Sequence, residues 1–66
     1  MGGIYVKATF DNVTIKCWFT AKGVSRNFYN VTEIIMSENS YLIKTTDGNQ
    51  YIMPMRNINI IEEIER

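Results

Sequence analysis

Apolar and polar residues alternate with a period of two along most of this chain, which is the signature of half-buried strands. From Ile4 the alternate positions Ile4, Val6, Ala8 and Phe10 are apolar. From Val13 the positions Val13, Ile15, Cys17 and Phe19 are apolar. The two runs predict strands over Ile4–Phe10 and Val13–Thr20. Asp11 and Asn12 lie between them. Both tolerate a positive φ, so the pattern predicts a two-residue type I′ hairpin turn there. In that register Phe10 faces Val13, Ala8 faces Ile15, Val6 faces Cys17 and Ile4 faces Phe19, all on one apolar side. The reverse side then pairs Tyr5 with Trp18, Lys7 with Lys16 and Thr9 with Thr14.

A second hairpin follows a polar loop at residues 21–27. Strand Phe28–Met36, a turn at Ser37-Glu38-Asn39-Ser40 and strand Tyr41–Thr46 bring Met36 opposite Tyr41, Ile35 opposite Leu42, Ile34 opposite Ile43, Glu33 opposite Lys44 and Thr32 opposite Thr45. Asp47-Gly48 is a strong turn signal, with Asn49 extending the loop. Strand Gln50–Met53 ends at Pro54, which lacks the N–H that a ladder needs. Met55-Arg56-Asn57 predicts a short turn of tight helix. The β-branched run Ile58–Ile64 predicts a last strand. A helix is the alternative there, because Ile58, Ile61 and Ile64 recur at i, i+3. The expected fold is all-β: one small antiparallel barrel or roll of five to six strands spanning 1–66, with the tight helical turn near 54–57.

Sixty-six residues with 45% hydrophobic and 21% charged describe one globular domain. Its core is thin, because a chain this short buries only about 60% of its unfolded surface. Cys17 is the sole cysteine and there is no histidine. An internal disulfide and the usual Cys/His zinc sites are therefore excluded, and homo-oligomerisation is the remaining way to add buried surface. No metal or cofactor is expected. The commonest general base is missing. Cys17 sits on the apolar side of its strand, where a thiol is inert. These points argue for a binding protein, not an enzyme.

Seven basic and seven acidic residues cancel. That balance argues against indiscriminate DNA coating. The charges are nonetheless segregated. Residues 1–32 carry four cations against Asp11, and residues 33–66 carry three cations against six carboxylates, giving plus three and minus three. No run approaches the roughly 20 apolar residues of a membrane span. The first residues lack the basic and apolar regions of a signal peptide. A free cysteine suits a reducing cytoplasm. The richness in Asn, Ile and Lys suggests an AT-rich genome, such as that of a Gram-positive bacterium or its phage.

The segment Tyr41 to Pro54 followed by Asn57-Ile58 resembles the closing half of small Sm-like or Src-homology-type barrels of bacterial and phage origin. The resemblance covers under half the chain and is one of fold. It implies a binding module, often oligomeric, for RNA, peptides or small nucleotides. No family site residue transfers.

Two functions remain open. The first is an anion-binding module for a nucleotide or single-stranded nucleic acid, such as a phage factor that sequesters a nucleotide signal in host defence. Its candidate residues are Tyr5, Lys7, Lys16, Trp18, Lys22, Arg26 and Arg56, because aromatic faces stack bases and cations hold phosphate. Gly23 in the basic loop could bring backbone amides to the same anion. The alternative is a protein-binding inhibitor or adaptor acting on a host protein, with Leu42, Tyr51, Met53 and Met55 as interface residues. The same residues could fill a contact between copies of the chain, the lysines could splay into solvent, and the loop could be a plain basic turn.

Overall fold

In the computed structural model, which describes residues 6–64, five strands form one antiparallel sheet. They are β1 (Val6–Phe19), β2 (Ser25–Met36), β3 (Ser40–Thr45), β4 (Gln50–Pro54) and β5 (Ile58–Ile64), in the spatial order β4-β3-β2-β1-β5. A 3-10 turn, Met55–Asn57, carries the chain from β4 to the opposite edge. The all-β expectation and the helical turn before the last strand hold, and the Ile-rich last segment is a strand. The sheet is open, so it is a curled sheet and not a closed barrel. Pro54 ends β4 and has no N–H to donate to a ladder. Among the described residues no helix is long and apolar enough to cross a membrane.

The first hairpin does not form. β1 runs unbroken through Asp11 and Asn12 for 14 residues. Ala8 pairs with Ile34, Lys7 with Ile35 and Val6 with Met36, all on β2. The expected pairs Ala8–Ile15, Val6–Cys17 and Lys7–Lys16 are therefore residues of one strand. Ile4 and Tyr5 lie outside the described residues.

The physical reason is a matter of phase. The apolar positions change parity between Phe10 and Val13, so the chain must change phase there to keep one side apolar. A two-residue turn does this, and so does a β-bulge. The protein uses the bulge. Pairing slips between Thr9 and Val13, and Asn12 adopts φ 53°. Phe10 and Val13 then both pack against the core. The Thr46 hydroxyl donates to the Asn12 side-chain oxygen.

β2 solves the same problem. Phe28, Val31 and Ile34 are all buried, yet they are three residues apart, a spacing that alternates faces in a flat strand. Register shifts lie between them, and Asn30 takes φ 57°. The Asn30 carbonyl accepts from the Thr46 N–H at 2.9 Å. Bulges sharpen strand twist and bend, and these curl the sheet around its apolar side. The core is Ile15, Cys17, Phe28, Val31, Ile34, Ile43 and Met53, with Ile58 and Ile61 of the far edge packed against it.

The second hairpin has the expected register over Met36–Tyr41, Ile35–Leu42, Ile34–Ile43 and Glu33–Lys44. It departs at Thr45, which pairs with Val31 instead of Thr32 because of the β2 bulge. The Lys44–Glu33 ion pair is long, at 4.0 Å, and both side chains are about one-third exposed, so it adds little stability. At the Asp47-Gly48 turn Gly48 takes φ 87°, and Asp47 accepts from the Thr45 hydroxyl.

A left-handed backbone costs an ordinary L residue about 1–2 kcal/mol, a cost that asparagine tolerates and glycine avoids. Asn30→Val should lower the unfolding free energy by about that amount. Asn30→Gly should leave it within about 0.5 kcal/mol of the parent. Urea denaturation of both variants checks this, and equal loss in the two would remove the bulge as the reason for asparagine here.

Candidate functional site

β1 and β2 meet in a loop at residues 20–24, and the cations Lys16, Lys22 and Arg26 gather at that end. Gly23 takes φ 78°, and the Phe19 N–H donates to the Val24 carbonyl at 2.9 Å. The Thr20 N–H donates to the Asn57 carbonyl at 2.9 Å, tying the loop to the 3-10 turn. Lys22 is exposed at the loop tip.

Strand alternation assigns the side chains here. Ile15 and Cys17 are essentially fully buried, so Lys16 and Trp18 stand on the outer face. Trp18 and Cys17 are thus on opposite faces, as expected. The Lys16 Nζ lies 4.3 Å from the Trp18 ring centroid, a cation–π contact. On the neighbouring β5, Ile60 pairs with Trp18 and Glu62 with Lys16. The Trp18 Nε1 donates to Glu62 Oε1 at 2.9 Å. The indole is therefore oriented by a cation on its face and a carboxylate at its edge. It borders an open hollow of about 330 Å³ shared with Thr20, Lys22, Gly23 and Ile60.

The other expected ligand residues are scattered. Lys7 is exposed on the far half of β1, nine residues or roughly 30 Å of extended chain from Lys16. The expected pair of facing lysines does not exist, because the hairpin that would create it is a continuous strand. Arg26 is paired with Cys17, and its guanidinium carbon lies 4.8 Å from the Phe28 ring centroid and 5.2 Å from that of Tyr51. Phe28 is a core residue, so Arg26 sits on the rim of the inner face, across the sheet from Trp18. Arg56 is exposed in the 3-10 turn, beside Glu38, Asn39 and Ile52. Tyr5 lies outside the described residues.

The expected interface residues also separate. Met53 is buried in the core, and Tyr51 packs against it with its ring 5.0 Å from that of Phe28, tilted by 53°. Neither faces outward, because Tyr51 pairs with the fully buried Ile43 and alternation carries Met53 to the same side. Met55 is half-buried in the 3-10 turn. Leu42 is half-buried between Ile35 and Ile52 in one cross-strand row of the outer face. Ile52, 73% exposed, is the outward apolar residue of β4 that the sequence reading omitted. Its even position between Tyr51 and Met53 was the available signal.

Glu62 is not among the residues that the sequence pattern singles out. Only the β1–β5 pairing brings it to Trp18, and no local pattern encodes that pairing. No family model, curated relative or solved structure matches the chain.

Cys17 carries no candidate chemistry. Burial pushes its thiol up to about 11 from an ordinary 9.0, against a smaller lowering by the Arg26 charge. The thiolate is the reactive form, so a raised value suppresses reactivity in the folded protein. Ellman's reagent at mildly alkaline pH should find no reactive thiol in the folded chain and one after denaturation. Rapid labelling of the folded protein would contradict the burial.

Proposed function

We propose that the chain is a non-enzymatic module that binds a base-bearing anion, a nucleotide or single-stranded nucleic acid, on the Trp18 face. The observation that carries this reading is the indole held by Lys16 and Glu62 beside the hollow under the Lys22–Gly23 loop. A pre-oriented aromatic ring loses little entropy when a base stacks on it. Such stacking contributes about 1–3 kcal/mol per base whatever its identity. Lys16 and Lys22 supply positive charge for the attached phosphates. Glu62 opposes phosphate close to the ring edge, so the phosphates lie on the Lys22 side.

Two cations give a shallow salt dependence. For a single strand the slope of log K against log salt is about −0.7 per neutralised phosphate, which gives about −1.4 here. Self-association belongs to the same reading, since among the described residues β4 and β5 each leave one side unpaired in a domain with a thin core.

A second reading, a protein-binding adaptor, draws on the outer row Ile35, Leu42 and Ile52. An exposed apolar row of this kind suits a protein partner. The two readings use different residues, so substitutions separate them.

Trp18 is the only tryptophan, so its emission reports this site directly. Titration with a short oligothymidylate at low salt should quench it, and Lys22→Ala should weaken binding severalfold. Ile52→Ser should leave binding unchanged. Unaltered emission together with unaltered anisotropy of the labelled oligonucleotide would overturn the nucleic-acid reading and leave the adaptor.

A further inference from the structure

A smaller hollow of about 190 Å³ lies on the other side of the sheet, lined by Arg26, Asn27, Tyr29, Asp47, Asn49 and Tyr51. Its chemistry differs from that of the Trp18 face. The Arg26 guanidinium packs against the rings of Phe28 and Tyr51, which favours one orientation of its N–H groups. Among the described residues it forms no ion pair, so its N–H fork is free to donate. Asp47 faces the same space. It accepts from the Thr45 hydroxyl through Oδ1 and from Asn49 Nδ2 at 3.1 Å through Oδ2. Each carboxylate oxygen keeps a further lone pair. The hollow thus offers a donor fork packed against two rings and a positioned acceptor pair.

This combination selects a ligand class. A bare phosphate would gain from Arg26 and be repelled by Asp47. An ammonium group would meet the reverse. A ligand satisfying both must show acceptors on one edge and donors on the next. Guanine does so: O6 and N7 match a guanidinium fork, and N1–H and N2–H2 match a carboxylate. Adenine places its N6 donor where guanine has the O6 acceptor, so it would turn a donor toward Arg26. The hollow admits one base, and it is too small for a drug-sized ligand.

We propose that the Arg26–Asp47 hollow reads guanine. The inference rests on the nucleotide-binding reading above and adds base identity to it. The strand register supports a single path for the ligand. Trp18 pairs with Ser25 and Cys17 with Arg26, so the two sites occupy neighbouring rows on opposite faces at the loop end. A strand passing around the 20–24 loop would lay one base on Trp18 and present another to Arg26, with Lys22 between them. Trp18 supplies stacking that ignores sequence, and Arg26 with Asp47 supplies the selection.

The test compares labelled oligothymidylates that differ at one internal position, carrying guanine, adenine or cytosine, by fluorescence anisotropy. The guanine probe should bind about tenfold tighter than the other two. Arg26→Lys keeps the charge and loses the fork, and Asp47→Asn replaces one acceptor oxygen by a donor. Each should remove the guanine preference while Trp18 quenching persists. Because Asp47 also supports its turn, Arg26→Lys is the variant that leaves the turn hydrogen bonds intact. Competition by guanosine monophosphate, with adenosine monophosphate inert, would assign the pocket to the free nucleotide. A preference seen only within the oligonucleotide would assign it to a strand. Equal affinities for the three probes, with quenching intact, overturn the guanine inference alone. Failure of every probe and both nucleotides to bind overturns it together with the reading it rests on.

Discussion

The structure depends on keeping one side of a very long strand apolar although its sequence changes phase midway. β1 presents Val6, Ala8 and Phe10, then Val13, Ile15, Cys17 and Phe19. A regular strand would turn the second set away from the first. The bulge at Asn12 reverses the phase, and the bulge at Asn30 does so on β2. Each uses an asparagine in the left-handed region, where its side chain is tolerated. Thr46 binds both sites, through the Asn12 side chain and the Asn30 carbonyl. The bends let one five-stranded sheet fold over its own core without a second layer.

The same constraint divides the cations. Residues adjacent along a strand point to opposite faces, so a basic cluster in sequence need not be a basic patch in space. Lys16 leaves the outer face, where Trp18 and Glu62 meet it. Arg26 leaves the inner rim, where Phe28 and Tyr51 hold it. Both ring systems extend from elements anchored in the core. The proposed chemistry therefore needs no deep enclosed cavity. It needs two oriented planar groups at one end of the sheet.

Much of the fold was legible from local signals. Asp47-Gly48, Pro54 and the β-branched run from Ile58 each act through their own backbone preferences. The register of β2 with β3 followed from pairing apolar with apolar and Glu33 with Lys44. The first half resisted because one observation, the parity change after Phe10, has two physical solutions. Asn12 suits both. What separates them is whether β1 pairs with itself or with β2 and β5, a long-range choice that the local pattern does not encode. The site inherited this ambiguity. Lys16 and Trp18 on the face opposite Cys17 followed from alternation in either arrangement. Lys7 depended on the hairpin and moved away with it, and Glu62 came into place only through β5.

Backbone proton contacts across the sheet, read by nuclear Overhauser spectroscopy on isotope-labelled protein, test the continuous β1 most directly. The arrangement described predicts cross-strand contacts of Ala8 with Ile34 and of Cys17 with Ile61, and none between Ala8 and Ile15. Contacts between Ala8 and Ile15, with those to Ile34 missing, would mean that the chain turns back at Asn12, and the bulged central strand would have to be abandoned.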